Sequence, residues 1–141
     1  MMLRRLVLPA LAVAAVANCG PNPKAKELRL WSDSYAFTVT VDPMPPLAME
    51  PIRYRVVVSD KQTKQPIEGG EGRIFASRGG ANTDDGFMKE PELGTYSGRL
   101  FFALSGDWAM AIQFRRDKNP QMRLERVDWT QAVKNASEPG T

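Results

Sequence analysis

Few side chains in this chain can do chemistry, and what is missing narrows the choice further. No histidine occurs in 141 residues. That removes the usual general base, the triads built on it and the commonest zinc or copper(II) ligand. Four carboxylates, Asp84, Asp85, Glu90 and Glu92, fall close together. Their spacing lacks the alternating oxygen ligands of a calcium loop, and nothing in the sequence sets two of them across a cleft as a glycosidase requires, so they read as a solvated acidic stretch. Met44, Met49 and Met88 carry soft thioethers of the kind that hold Cu(I). They form a site only if the fold gathers their loops; otherwise they are flexible apolar side chains. Arg115, Arg116, Lys118, Arg123 and Arg126, broken by Asp117 and Glu125, make a basic run. It reads as the polar face of an edge hairpin, with an acidic partner surface or anionic headgroups as the alternative. Gly69-Gly70-x-Gly72 lacks the Lys-Ser/Thr ending and following helix of a phosphate loop and reads as a turn or bulge. No cofactor is implied by these residues.

The one cysteine, Cys19, follows MMLRR and the apolar run LVLPALAVAAVA. That layout is a secretory signal, too short for a membrane span. Ala15-Val16-Ala17 fits an ordinary signal peptidase, whereas Val16-Ala17-Asn18-Cys19 resembles a bacterial lipobox, with Asn18 where Gly, Ala or Ser is usual. The second reading gives a signal peptide over 1–18, lipidation at Cys19 and a flexible Pro/Asn/Lys tether over 19–26. Removing 18 of 141 residues leaves 123, the size of one domain. Arg4 and Arg5 go with the signal, so 17 basic residues face 16 acidic ones. A formal charge of +1 gives no support to a nucleic-acid role. With a single cysteine no internal disulfide can form, so packing must supply the stability.

The elements that would position these residues are strands. Tyr35, Phe37, Val39 and Val41 alternate with polar or small residues, and Ile52, Tyr54, Val56 and Val58 do the same beyond a Pro-rich link. A short strand is predicted around Arg73 to Ser77. GGANTDDGFMKEPELG reads as a surface loop, and TYSGRLFFALSG and DWAMAIQFRRD as two β runs around a Ser105-Gly106-Asp107 turn. MRLERVDWT is a further possible strand, on whose face Met122 would lie, and 131–141 reads as a frayed polar tail. With no long amphipathic helix, the pattern predicts an all-β antiparallel sandwich of about seven strands over 27–130.

Gly94-Thr95-Tyr96-Ser97-Gly98 and Ser105-Gly106-Asp107-Trp108, together with IRYRVVVSD and Gln65-Pro66-Ile67, resemble the YtkA-like domain family, related in pattern to FixH-like domains. The resemblance spans roughly Leu30 to Phe114. It implies a small immunoglobulin-like sandwich of the bacterial envelope, with Gly94, Tyr96, Gly106 and Trp108 as structural residues. It also implies, as an alternative function, copper handling or oxidase assembly through a Met- and His-rich loop; the corresponding ANTDDGFMKEPEL has Met88 and no histidine. The expected function is a non-enzymatic, membrane-anchored lipoprotein facing the periplasm or cell exterior, binding another envelope protein. The mature N-terminus decides between the cleavage readings. A diacylglycerol adduct on Cys19 is the expected mass, and a free Asn18 terminus contradicts it.

Overall fold

The computed structural model describes residues 26–136. The predicted signal peptide, Cys19, nearly all of the tether and the last five residues lie outside the described residues. Nine strands and no helix occur among those described: β1 (Leu28–Trp31), β2 (Tyr35–Asp42), β3 (Pro51–Asp60), β4 (Glu71–Arg78), β5 (Ala81–Gly86), β6 (Met88–Lys89), β7 (Thr95–Phe101), β8 (Gly106–Arg115) and β9 (Glu125–Val133). They form two antiparallel sheets, ordered β1-β2-β3-β7-β6 and β5-β4-β8-β9. The connections β3–β4, β5–β6 and β7–β8 cross from one sheet to the other. With β1 set aside as an added edge strand, this is the immunoglobulin strand order, ABED facing C′CFG.

Period-two alternation drives the packing. Phe37 and Val39 of β2, Tyr54 and Val56 of β3, Tyr96 and Leu100 of β7 face Ile74 of β4 and Trp108, Met110, Ile112 and Phe114 of β8, and all are buried. Phe114 is the hub of an aromatic cluster. It meets Tyr35 at 5.1 Å, Tyr96 at 5.3 Å and Phe37 at 6.0 Å between ring centres, each edge to face. Such contacts add about 0.5–1.5 kcal/mol apiece beyond the area they bury.

Three buried aromatic side chains also fasten the connections by their polar tips. The Tyr96 hydroxyl donates to the Ile67 carbonyl at 2.6 Å and accepts from the Gly70 N–H at 3.0 Å, pinning the β3–β4 crossover. Trp108 meets Phe102 edge to face at 5.0 Å between ring centres and donates its indole N–H to the Leu104 carbonyl at 2.9 Å, pinning β7–β8. The Tyr35 hydroxyl accepts the Arg116 N–H at 2.9 Å and so holds the start of β8–β9. The two motif glycines make room for this. Gly94 has φ +62°, and a Cβ there would lie 2.9 Å from the Pro66 side chain. Gly106, at φ +114°, backs onto the Arg78 guanidinium.

The structure corrects several expectations. The stretch predicted as one polar loop contains β5 and β6. β5 carries no apolar alternation because its inward side chains serve the edge of β7: the Thr83 hydroxyl accepts the Phe101 N–H at 3.3 Å and the Asp85 carboxylate accepts the Arg99 N–H at 2.8 Å. These two and the two-residue β6 close an edge that would otherwise expose backbone donors. β1, not among the predicted strands, is four residues long, with Leu28 and Leu30 half-buried and Arg29 and Trp31 exposed. The tail predicted to fray from residue 131 is ordered through Lys134. Val133 is buried, and Lys134 exchanges backbone bonds with Pro46 and Ala48, each 2.9 Å. The domain therefore runs past 130, and of 122–129 only residues from Glu125 onward join the sheet. Met122 is not on a strand; its N–H closes a turn on the Asn119 carbonyl.

Tyr96 and Tyr54 give a matched pair of tests. Both rings are buried, but the Tyr54 hydroxyl has no hydrogen-bond partner among the described residues. Tyr96→Phe strands a buried donor and acceptor and is expected to cost about 1–3 kcal/mol in urea denaturation. Tyr54→Phe is expected to cost less, or to stabilise. Equal losses would contradict the pinning role.

Candidate functional site

The strand directions define two poles. At the entry pole lie the start of β1, the β2–β3 connection (43–50), the β4–β5 turn (79–80), the β7–β8 connection (102–105) and the end of β9. At the far pole lie the β1–β2 turn (32–34) and the connections 61–70, 90–94 and 116–124. The entry pole is stitched by backbone. The Met49 N–H donates to the Phe102 carbonyl at 2.8 Å, and Leu47 forms a parallel bridge with Lys134. On this fixed base Met49 stands 64% exposed, with Leu104 at 47%, Phe101 at 46% and Met44 at 46%. At the far pole Trp31, Leu93 and Leu124 are exposed; Trp31 and Leu93 sit at opposite edges of the five-stranded sheet, and Leu124 lies by Glu71 and Arg115 on the other sheet.

The fold does not gather the three methionines. Met44 lies beside Val39, Val41 and Trp129, where β2 faces β9. Met88 is on the edge strand β6, about 14 Å from β2 across three strand spacings. Met88 also pairs with Ser97, which faces Arg55 of β3, about 13 Å along the strand from Pro51 near Met49. A Cu(I) site needs its thioethers within bonding reach of one ion.

Nor do the four carboxylates act together. Asp84 pairs with Arg73, Glu90 with Arg53 at 3.0 Å, and Glu92 with Arg55 at 3.7 Å, while Asp85 takes the Arg99 amide. Among the described residues no group of three or more His, Cys, Asp or Glu is placed to hold a metal. Each acid instead answers a cation or amide projected by the strands, a match invisible without the strand register.

The basic run surrounds the far pole and its adjoining edge. Arg116 bonds Asp60 at 2.5 Å and lies 5.8 Å from the Tyr35 ring centre; Arg115 meets Glu71, Arg123 meets Asp33 at 3.7 Å, and Arg126 meets Asp128 at 3.0 Å. β9 is one of the two edge strands of its sheet, so the charged face belongs to an edge hairpin, as its composition predicts.

A polar hollow of about 330 Å³ at the far pole is lined by Trp31, Asp33, Lys61, Arg123 and Glu125, and one of about 290 Å³ by Glu71, Arg73, Arg115 and Leu124, every acid in them engaged by an arginine or a backbone amide. Two more mark the described surface. One, of about 220 Å³ on the outer face of the four-stranded sheet, forms where Ala109 and Ala111 leave space between Phe75 and Asp128; its acids, Asp84 and Asp128, are each held by an arginine. The other, about 260 Å³, is apolar and lies at the entry side of the β2–β9 seam, against Leu28, Val41 and Trp129. Neither sets an unengaged carboxylate against a nucleophile. Phe101 and Leu104 are the exposed residues that motif reading passes over. The alternation of Tyr96, Gly98 and Leu100 already turns Phe101 outward, so period-two counting through LFFAL would have found it.

Comparison with protein-family models, curated proteins and solved structures finds no match.

The far-pole carboxylates carry a pH signature. Asp60 is lowered to about 2 by the Thr63 backbone N–H, by Arg116 and by the Gln62 N–H. Glu68 is lowered by the Gly94 N–H and Lys89, and Glu90 by Ser97 and Arg53. Burial opposes ionisation of Glu125, but hydrogen bonds from Ser32 and Ser34 outweigh it. A carboxyl lowered on folding stabilises the fold above its unfolded pKa and loses that contribution as pH falls through its folded value. With no histidine to titrate, the urea midpoint is expected to hold from about pH 8 to 5 and to fall between about pH 4 and 2. A transition near pH 6.5 would contradict this.

Proposed function

We propose that the chain is an exported, lipid-anchored, non-enzymatic β-sandwich that serves as a binding or accessory module in the bacterial cell envelope. The observation that carries the reading is the polarity of the fold. The described chain begins at the entry pole, and Cys19 lies seven residues before Lys26, a reach of at most about 25 Å. A lipid on Cys19 would turn that pole toward the membrane and leave the far pole, with Arg116, Lys118 and Arg123, facing outward. The charges there, with Arg116, Lys118 and Arg123 set among Asp33, Asp60, Asp117 and Glu125, contribute little to stability individually but set a mixed electrostatic pattern that a partner must complement. The copper-handling alternative requires Met44, Met49 and Met88 to converge, and their separation argues against it.

Photo-crosslinking in the native envelope tests the proposal. Probes at Lys118 and Arg123 are expected to capture one specific envelope protein, and charge reversal of Arg123 to weaken that capture. Recovery of only the most abundant envelope proteins, unchanged by the reversal, would contradict a partner at this pole.

A further inference from the structure

We infer that the entry-pole face formed by Met49, Phe101 and Leu104 seats on the lipid bilayer itself. The inference rests on the anchored reading above and goes beyond it, because a tether of up to about 25 Å would also permit the sandwich to float free.

Four observations support it. The three side chains project from segments tied together by the Met49-to-Phe102 backbone bond and by the Pro51–Phe101 strand pair, so they belong to one surface and not to independent loops. The surface is preorganised, since the β2–β3 connection is bonded to both β7–β8 and the end of β9, and Trp108 locks Leu104 from within. Met49 holds φ +66°, a left-handed conformation that glycine or asparagine adopts more cheaply, yet an exposed, flexible apolar side chain stands there. Finally, this is the pole at which the described chain begins, a few residues after Cys19.

The charges around the face balance. Exposed Lys26, Arg29, Arg78 and Lys134 are offset by exposed Glu27, Asp42, Glu50 and Asp107. Seating therefore depends on apolar contact at the headgroup and acyl boundary, not on attraction to anionic lipid.

The test uses the full chain carrying its own lipid, in which an acylated Cys19 is blocked to thiol reagents. Single cysteines at Met49→Cys, Leu104→Cys and, on the far pole, Gln62→Cys take an environment-sensitive fluorophore, and the protein is reconstituted into phosphatidylcholine vesicles with or without nitroxide-labelled lipid. Labels at 49 and 104 are expected to shift to the blue and to be quenched several-fold more than the label at 62, with no change when anionic lipid is added. A Cys19 diacylglycerol mass together with equal quenching at all three sites would overturn the inference while leaving the anchor intact. Crosslinking of position 49 to a second copy or another protein, in place of lipid quenching, would overturn it too. An unmodified Cys19 would refute the anchored reading, and the inference with it.

Discussion

The Tyr96 hydroxyl, between the Ile67 carbonyl at 2.6 Å and the Gly70 N–H at 3.0 Å, is the contact on which the first crossing of this chain between its two sheets, from β3 to β4, depends. A sandwich with one cysteine has no covalent staple, so the facing sheets are held by packing and the crossovers must be fastened by something buried. Tyr96 does both at once: its ring packs against Phe114, and its hydroxyl reaches the connection that carries β3 into β4. Trp108 repeats the arrangement at the opposite pole, and Tyr35 holds the turn toward β9. Glycine sits two residues before each of the first two because the backbone must bend into positive φ, or pass close to a neighbour, before the aromatic residue can turn inward. The β3–β4 and β7–β8 crossovers and the start of β8–β9 are therefore fastened from within the core.

This explains which parts of the fold were legible in the sequence. β2, β3, β7 and β8 announce themselves because each buries one face of alternating large apolar residues against the other sheet. β5 does not, since its inward side chains are Thr83 and Asp85, chosen to satisfy the backbone edge of β7 and not to fill a core. A polar strand of this kind looks like a loop until its partner is known. The end of β9 was hidden for a related reason: Lys134 is polar and exposed, but its backbone closes the β2–β3 connection. Residue type is visible in a sequence and backbone pairing is not.

The candidate sites were legible to a similar degree. Residue types showed that no histidine-based chemistry exists here. They could not show that Met44 follows β2 while Met88 lies three strands away on β6, or that Asp84, Glu90 and Glu92 each meet a different arginine. Those are facts of topology, fixed by strand order and register. The exposure of Phe101 sits between the two, implied by alternation along β7 but given its place beside Met49 only by the pairing of Phe101 with Pro51.

Together these constraints give a molecule with unlike ends. One end is backbone-stitched and carries exposed Met49, Phe101 and Leu104 within a ring of balanced charges; the other is built from longer connections laced with ion pairs. Neutron reflectometry of the lipidated chain on a supported neutral bilayer tests that account most directly. The account predicts a protein layer that begins at the headgroups and extends at least about 33 Å, the length of the ten-residue strands β3 and β8. A water-filled gap approaching the roughly 25 Å reach of the tether, between headgroups and protein, would contradict it.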